Sequence, residues 1–187
     1  MIFVISGPSG SGKTTLLKNL LKAKGLKNRL VRSISFTTRA KRPDEKYGKD
    51  YFFISAREFQ HKRRAQKLLE WTKYLGYYYA TPKDFFKNWF AKNRHLILCL
   101  DLKGALKIKR LYPKDTVNIF VMPPSLGVLR ERIKKRANKT KEDEVRERLG
   151  LAKEELLASR AYDYCLVNKD LGKTLKKLKK LILERIS

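Results

Sequence analysis

The chain has 187 residues, enough for one domain with a sizeable core and small inserted lobes. Apolar residues make up 42% and charged residues 34%, the balance of a soluble globular protein, and no apolar run approaches the length of a membrane-spanning helix. The 45 lysines and arginines against 18 acids give a formal net charge of +27. That charge is spread over the whole chain, so any nucleic-acid binding is expected only as non-specific electrostatics. Adaptation to a hot or salty interior and a lysine-rich proteome account for it equally well. Cys99 and Cys165 both sit in apolar strand-like runs and are expected as buried thiols, with no zinc site. With a strand expected to begin at residue 2, no leader is expected, and the expected location is cytoplasmic.

Ile2, Phe3, Val4 and Ile5 predict a buried parallel strand. Gly7, Pro8, Ser9, Gly10, Ser11, Gly12, Lys13 and Thr14 then fit G-x-x-x-x-G-K-[ST] at every fixed position. Leu16, Leu17, Leu20 and Leu21 follow at helical spacing, so the motif lies between a strand and a helix. Glycines let successive N–H groups converge on one anion, and the helix start adds unpaired donors. Lys13 is placed to reach β- and γ-phosphates, and Thr14 to hold Mg²⁺ through its hydroxyl. The loop alone does not separate ATPase, GTPase and small-molecule kinase.

The first helix is expected to run to about residue 24 with Gly25 as its cap, followed by a strand over residues 30–35. A basic loop punctuated by Pro43 and Gly48 leads to a strand over residues 50–54. Ser55 and Glu58 predict a capping box for a helix over residues 56–64. Tyrosines around Gly76 suggest short strands, and residues 35–82 read as a strand-rich insertion. Pro82 is expected at the first position of a helix over residues 83–91, whose Phe85, Phe86, Trp89 and Phe90 form an apolar side. Strands over 96–100, 117–121 and 164–167 alternate with helices starting at Gly104 and spanning 126–136, 142–159 and 171–186, with a break at 138–141. The alternation predicts a three-layer α/β domain with a mostly parallel sheet.

Three clusters carry chemistry. Arg39 and Arg42, with Ser35, Glu45 and Tyr51 nearby, suit a monophosphate gripped by guanidinium groups, or else form a solvated basic loop. Glu70 beside Trp71 is either a surface acid or a reader of adjacent ring N–H donors. Arg130, Arg132 and Arg136 on one helix and Arg146 and Arg148 on the next either swing in around a moving phosphoryl group or stay solvated.

The run SGPSGSGKTTLL, followed by S-x-T-T-R-x-x-R-P-x-E-x-x-G-x-D-Y-x-F, resembles the guanylate kinases. The likeness continues through LEW at 69–71, GYYYAT at 76–81, PPS at 123–125 and YDYCLVN at 162–168. It implies a phosphate-loop kinase that transfers the γ-phosphoryl of ATP to GMP or dGMP with Mg²⁺ as cofactor. It also implies a core of residues 1–34, 82–124 and 156–187, a GMP-binding lobe at 35–81 and a helical lid at 125–155. By this resemblance Ser35, Arg39, Arg42, Tyr51 and Tyr79 grip the GMP phosphate, with Glu45 beside the arginines. Glu70 reads guanine with Thr81 next to it, Asp101 lies near the guanine amino group and the metal, and Asn168 lies near adenine. Lys13, Arg132, Arg136 and Arg148 act on the phosphates.

The chain departs from the family at several places. Cys99 stands at a usual acid, Ala80 at a usual glycine where it could crowd the turn, Lys103 at a glutamine and Lys169 at an acid. Ala137 and Asn138 stand where the lid usually has glycine and another small residue. A related kinase with a different or relaxed acceptor, such as a ribose bisphosphate, a non-catalytic binding module on this fold, and a nucleic-acid-binding protein built on it are the alternatives. Monomer and homo-oligomer are both compatible with the sequence.

Overall fold

The computed structural model describes residues 1–90, 94–136 and 142–186, with side chains 87–90 and 136 outside that description. Five strands form one fully parallel sheet: β1 (Ile2–Ser6), β2 (Leu30–Arg32), β7 (His95–Cys99), β8 (Thr116–Met122) and β9 (Tyr164–Val167), in the order β2-β7-β1-β8-β9. β1 lies in the middle and all five of its residues are buried, which is why its sequence shows no polar alternation. Its side chains still point alternately to the two faces. Phe3 and Ile5 meet Leu16, Leu17 and Leu20 of α1 (Lys13–Leu20) and Leu178 and Ile182 of α7 (Leu171–Ile186). Ile2 and Val4 meet Phe86 of α3 (Lys83–Phe90) and Ala105 and Ile108 of α4 (Leu102–Leu111). Each large side chain buried this way contributes about 1.5–3 kcal/mol against exposure. The expected three layers are therefore present.

A second sheet, ordered β4-β3-β6-β5, is built from the segment between β2 and α3. It contains β3 (Phe36–Thr37), β4 (Phe52–Phe53), β5 (Leu68–Tyr74) and β6 (Tyr77–Pro82). Helix α2 (Ala56–Arg64) covers its outer face and begins with the expected capping box, Ser55 and Glu58 satisfying each other's backbone amides. Phe59 of α2 is fully buried, stacks on Tyr78 at 4.4 Å and meets the edge of Trp71. Asp50, only 5% exposed, ties this segment to the core. It pairs with Lys18 of α1 at 2.9 Å, lies 3.9 Å from Arg32 of β2 and accepts from the Lys46 amide at 3.0 Å. Burial opposes its charge, but the hydrogen bonds from Lys18 and the Lys46 amide hold its carboxyl below the ordinary value.

Two further helices, α5 (Leu126–Arg136) and α6 (Glu142–Leu157), pack through Leu129, Ile133, Val145 and Ala152 into a small core of their own. Glu142 bridges back to Arg130 at 2.8 Å and Lys134 at 3.4 Å.

The structure differs from the sequence reading in several local ways. Helix α1 stops at Leu20, because Lys22 and Ala23 bond back three residues and the chain turns so that Leu26 is fully buried. Gly25 serves that later turn. The expected 30–35 strand stops at Arg32 as β2, and the chain enters the second sheet only at β3, where the sequence reading places a loop. Pro82 ends β6 instead of opening α3. Cys165 is exposed, because β9 is an edge strand whose alternate side chains face outward; Cys99 is half-buried, and both thiols are free. Ala80 sits inside β6 opposite Trp71 and Phe36, so it crowds no turn. The last helix of the pair ends at Leu157, and a 3₁₀ turn (Ala158–Ala161) completes it. Ala91, Ala137 and Asn138, and the side chains of Trp89 and Phe90, lie outside the described residues.

The turn between β5 and β6 is Leu75-Gly76, with φ of 49° and 79°. Two left-handed residues in a two-residue hairpin match the right-handed twist of the strands. Gly76 accepts that geometry freely, whereas a leucine there costs roughly 1–2 kcal/mol. Leu75→Asn should therefore raise stability by about 1 kcal/mol, read as a higher midpoint in denaturant at unchanged slope.

Candidate functional site

The carboxyl ends of β1, β7 and β9 open onto a cleft of about 650 Å³ between the parallel sheet, the second sheet and the α5–α6 pair. Its floor is the loop between β1 and α1. Gly7, Ser9, Gly10, Gly12, Lys13 and Thr14 line it, while Pro8 and Ser11 are buried behind as framework. Ser11 donates its amide to the Pro8 carbonyl at 3.0 Å, closing the loop. Gly12, with φ of 94°, caps α1, and the space a side chain would need there is taken by the Asn168 amide. That amide donates to the Ser11 carbonyl at 2.8 Å, so Asn168 braces the loop as well as lining the cleft. Lys13 Nζ donates to the Gly7 and Pro8 carbonyls at 2.5 and 2.8 Å.

The second sheet forms one wall. In β5 the burial alternates, so Glu70, Thr72 and Tyr74 turn inward while Trp71 and Lys73 face out. Tyr79 and Thr81 of β6 stand opposite Thr72 and Glu70. Glu70 is 6% exposed, and its carboxylate accepts from the Thr81 hydroxyl at 2.5 Å. Burial, with the Asp101 charge adding to it, pushes the Glu70 carboxyl up to about 7, although the Thr81 hydrogen bond works the other way. Thr81 is buried behind Glu70 and does not itself reach the cleft.

Farther along this wall are Ser35, Arg39, Arg42, Glu45 and Tyr51. Glu45 holds both arginines: it takes Arg39 Nη2 on its two oxygens at 2.7 and 2.9 Å and the Arg42 amide at 2.9 Å. Arg39 also lies 5.7 Å from the centre of the Tyr51 ring, which meets Tyr79 edge-on at 5.9 Å. Burial raises the Tyr51 hydroxyl, so it enters the site as a neutral donor. The basic loop is thus an ordered, half-buried arginine pair with its charge partly offset.

The remaining wall carries Cys99 and Asp101 from the end of β7 and Arg132, Arg148 and Glu155 from α5 and α6. Asp101 caps α4 by accepting from the Gly104 amide at 2.8 Å. Arg148 is held by Glu144 at 2.6 and 2.9 Å and touches the Ser9 hydroxyl at 3.3 Å. Arg132 has its Nη1 buried without a hydrogen-bond partner among the described residues. The Arg136 side chain lies outside them. Arg130 points away, to Glu142.

Several residues of the cleft escaped the sequence reading. Thr72 and Tyr74 follow from Glu70 by strand alternation, and Lys18 from Thr14 by the four-residue helical step. Glu155 lies seven residues after Arg148, two turns along the same face of α6.

A hydrolysable phosphate bound at the glycine loop would thus face a second anion-binding wall and a buried carboxylate across one cleft. The chain as a whole is similar to known proteins. A family model described as guanylate kinase matches residues 1–185. A guanylate kinase of Thermotoga maritima is 45% identical over 170 residues, covering 91% of this chain and 80% of the relative. One from Caldanaerobacter subterraneus is 41% identical over 184 residues, covering 98% and 86%. The crystal structure of guanylate kinase from Anaplasma phagocytophilum superposes with a TM-score of 0.82 at 31% identity, over 99% of this chain and 85% of that one. With the match running from end to end, the chain belongs to the guanylate kinase family.

Proposed function

We propose that this protein transfers the γ-phosphoryl group of ATP to GMP. The observation that carries the reading is the buried Glu70 carboxylate, held by Thr81 in the same cleft as the glycine loop and the Arg39–Arg42 pair. A carboxylate there accepts from the ring N1–H and the neighbouring exocyclic amino group of guanine, a donor pair that adenine lacks. Residues 35–81 then form the acceptor lobe and 125–155 the lid, with the rest as the donor-binding core. Arg39, Arg42, Ser35, Tyr51 and Tyr79 hold the GMP phosphate, and Asp101 stands near the guanine amino group. The glycine loop takes the ATP phosphates, and Asn168 keeps the loop in shape next to the adenine side.

Two anions must be brought into line and their charge offset; no catalytic base is required. Lys13 exchanges its contacts with the Gly7 and Pro8 carbonyls for β- and γ-oxygens, and Arg132, Arg136 and Arg148 add charge as the lid excludes water. The Thr14 hydroxyl at the head of α1 is an oxygen donor of the kind Mg²⁺ accepts alongside phosphate oxygens and water. Bound there, Mg²⁺ would neutralise charge on the β- and γ-phosphates.

A relaxed acceptor is the second reading, because Cys99 lines the cleft where the resemblance expects an acid. A coupled assay with ATP and Mg²⁺, offering GMP, dGMP, AMP, IMP and a ribose bisphosphate, distinguishes the two. Strong turnover of GMP with little of AMP is expected; equal rates on AMP would favour the relaxed site, and none on any acceptor would remove the enzyme reading.

Glu70→Gln should lower kcat/KM for GMP by about 10²-fold while nucleotide-donor binding persists, since a mismatched amide leaves a buried polar group unpaired. Because the Glu70 carboxyl titrates near 7 and guanine needs it ionised, GMP affinity should fall up to tenfold per pH unit below that value. Calorimetry on Glu70→Gln isolates this slope from the titration of GMP itself. The folded state also binds this proton more tightly than the unfolded chain does. Glu70 should therefore make stability fall as pH rises from about 4.5 to about 7, by on the order of 3 kcal/mol, and the variant should lose that slope. Arg148→Ala should reduce kcat about 10²-fold with a smaller change in KM for GMP, the signature of a group acting in the transition state.

A further inference from the structure

Glu155 is the one acid of α6 that reaches the cleft, and the roles assigned above leave it unused. Its Oε2 is buried and has no hydrogen-bond partner among the described residues. A carboxylate oxygen in that condition carries a desolvation cost that any nearby donor relieves. Two neighbours bear on it. Lys13 supplies the largest attraction for its charge, set against burial, Asp101 and Glu154. Tyr74, on the inward face of β5 with Glu70 and Thr72, lines the same cleft from the opposite wall. The Tyr74 hydroxyl is raised by burial first and by the Glu155 charge next, and drawn down by Arg148, so it lies within electrostatic reach of both α6 side chains.

We propose that Glu155 is a positioning residue that couples the two substrate sites. While Lys13 is turned onto the loop carbonyls, Glu155 shares the cleft with it and its Oε2 stays without a partner among the described residues. When a triphosphate takes Lys13, the buried Oε2 receives the Tyr74 hydroxyl instead, and β5 is drawn toward α6 with Glu70 and Thr72 on the same strand face. The donor nucleotide thereby prepares the acceptor wall. Tyr74 is the necessary partner because a hydroxyl, unlike an ammonium, can be given to Glu155 without competing with the phosphates for positive charge.

The inference rests on the cleft holding ATP on the loop and GMP on the second sheet. The test is calorimetric titration of GMP into the full chain with and without a non-hydrolysable ATP analogue and Mg²⁺. Wild type should bind GMP more tightly with the analogue present, on the order of tenfold, a usual size for coupling between two sites. In Tyr74→Phe, which removes only the hydroxyl, and in Glu155→Ala the ratio of the two affinities should fall to near one. The double variant should show no further loss, and Glu155→Gln, which keeps an acceptor oxygen, should recover part of the ratio. Should Glu155→Ala fail to fold, Tyr74→Phe and Glu155→Gln carry the comparison. A wild-type ratio of one, a ratio unchanged in Tyr74→Phe, or additive losses in the double variant would overturn the coupling while leaving the kinase reading intact. Absence of GMP binding in wild type would overturn both.

Discussion

Everything in this molecule depends on holding a left-handed glycine loop rigid at the end of a buried strand. Backbone amides grip phosphate only if they converge, and a loop free enough to converge is also free to collapse. Here the problem is solved from three sides. β1 is buried on both faces, α1 is packed by Leu16, Leu17 and Leu20, and Asn168 crosses from the end of β9 to bond the Ser11 carbonyl. The parallel order places β9 two strands from β1, so this brace depends on the whole sheet being in register.

The second requirement is electrostatic. A chain of net charge +27 has no shortage of cations, yet several of those in the cleft are held by acids. Glu45 fixes Arg39 and the Arg42 backbone, and Glu144 fixes Arg148. Each acid lowers the local positive charge and in return sets the direction of a guanidinium, a favourable exchange where geometry decides binding. Glu70 shows the reverse logic. Its ionisation is disfavoured by burial, and in the proposed function a base with matching donors would offset that cost, so selectivity would be built from an unfavourable ground state.

Much of this was legible in the residues. The G-x-x-x-x-G-K-T spacing, the Ser55–Glu58 capping box and the final strand and helix at residues 164–167 and 171–186 are local patterns, and the structure reproduces them. What escaped was set by distant contacts. Leu26 pulls the chain out of α1 early because it has a core position to fill. Cys165 is exposed because β9 is an edge strand, which apolar composition alone does not reveal. Glu155 and Lys18 looked like two more charges among many on amphipathic helices. Only the docking of those helices around the cleft distinguishes them from their solvated neighbours.

The Asp50 anchor has a geometric consequence. Lys18 stands one helical turn beyond Thr14, about 6 Å along α1, so a single rigid rod bears a cleft-lining hydroxyl at one end and the tether to the second sheet's segment farther along. The rod acts as a ruler between the two walls. In the proposed function it would set the spacing at which two charged substrates meet, through the backbone hydrogen bonds of one helix and a single ion pair.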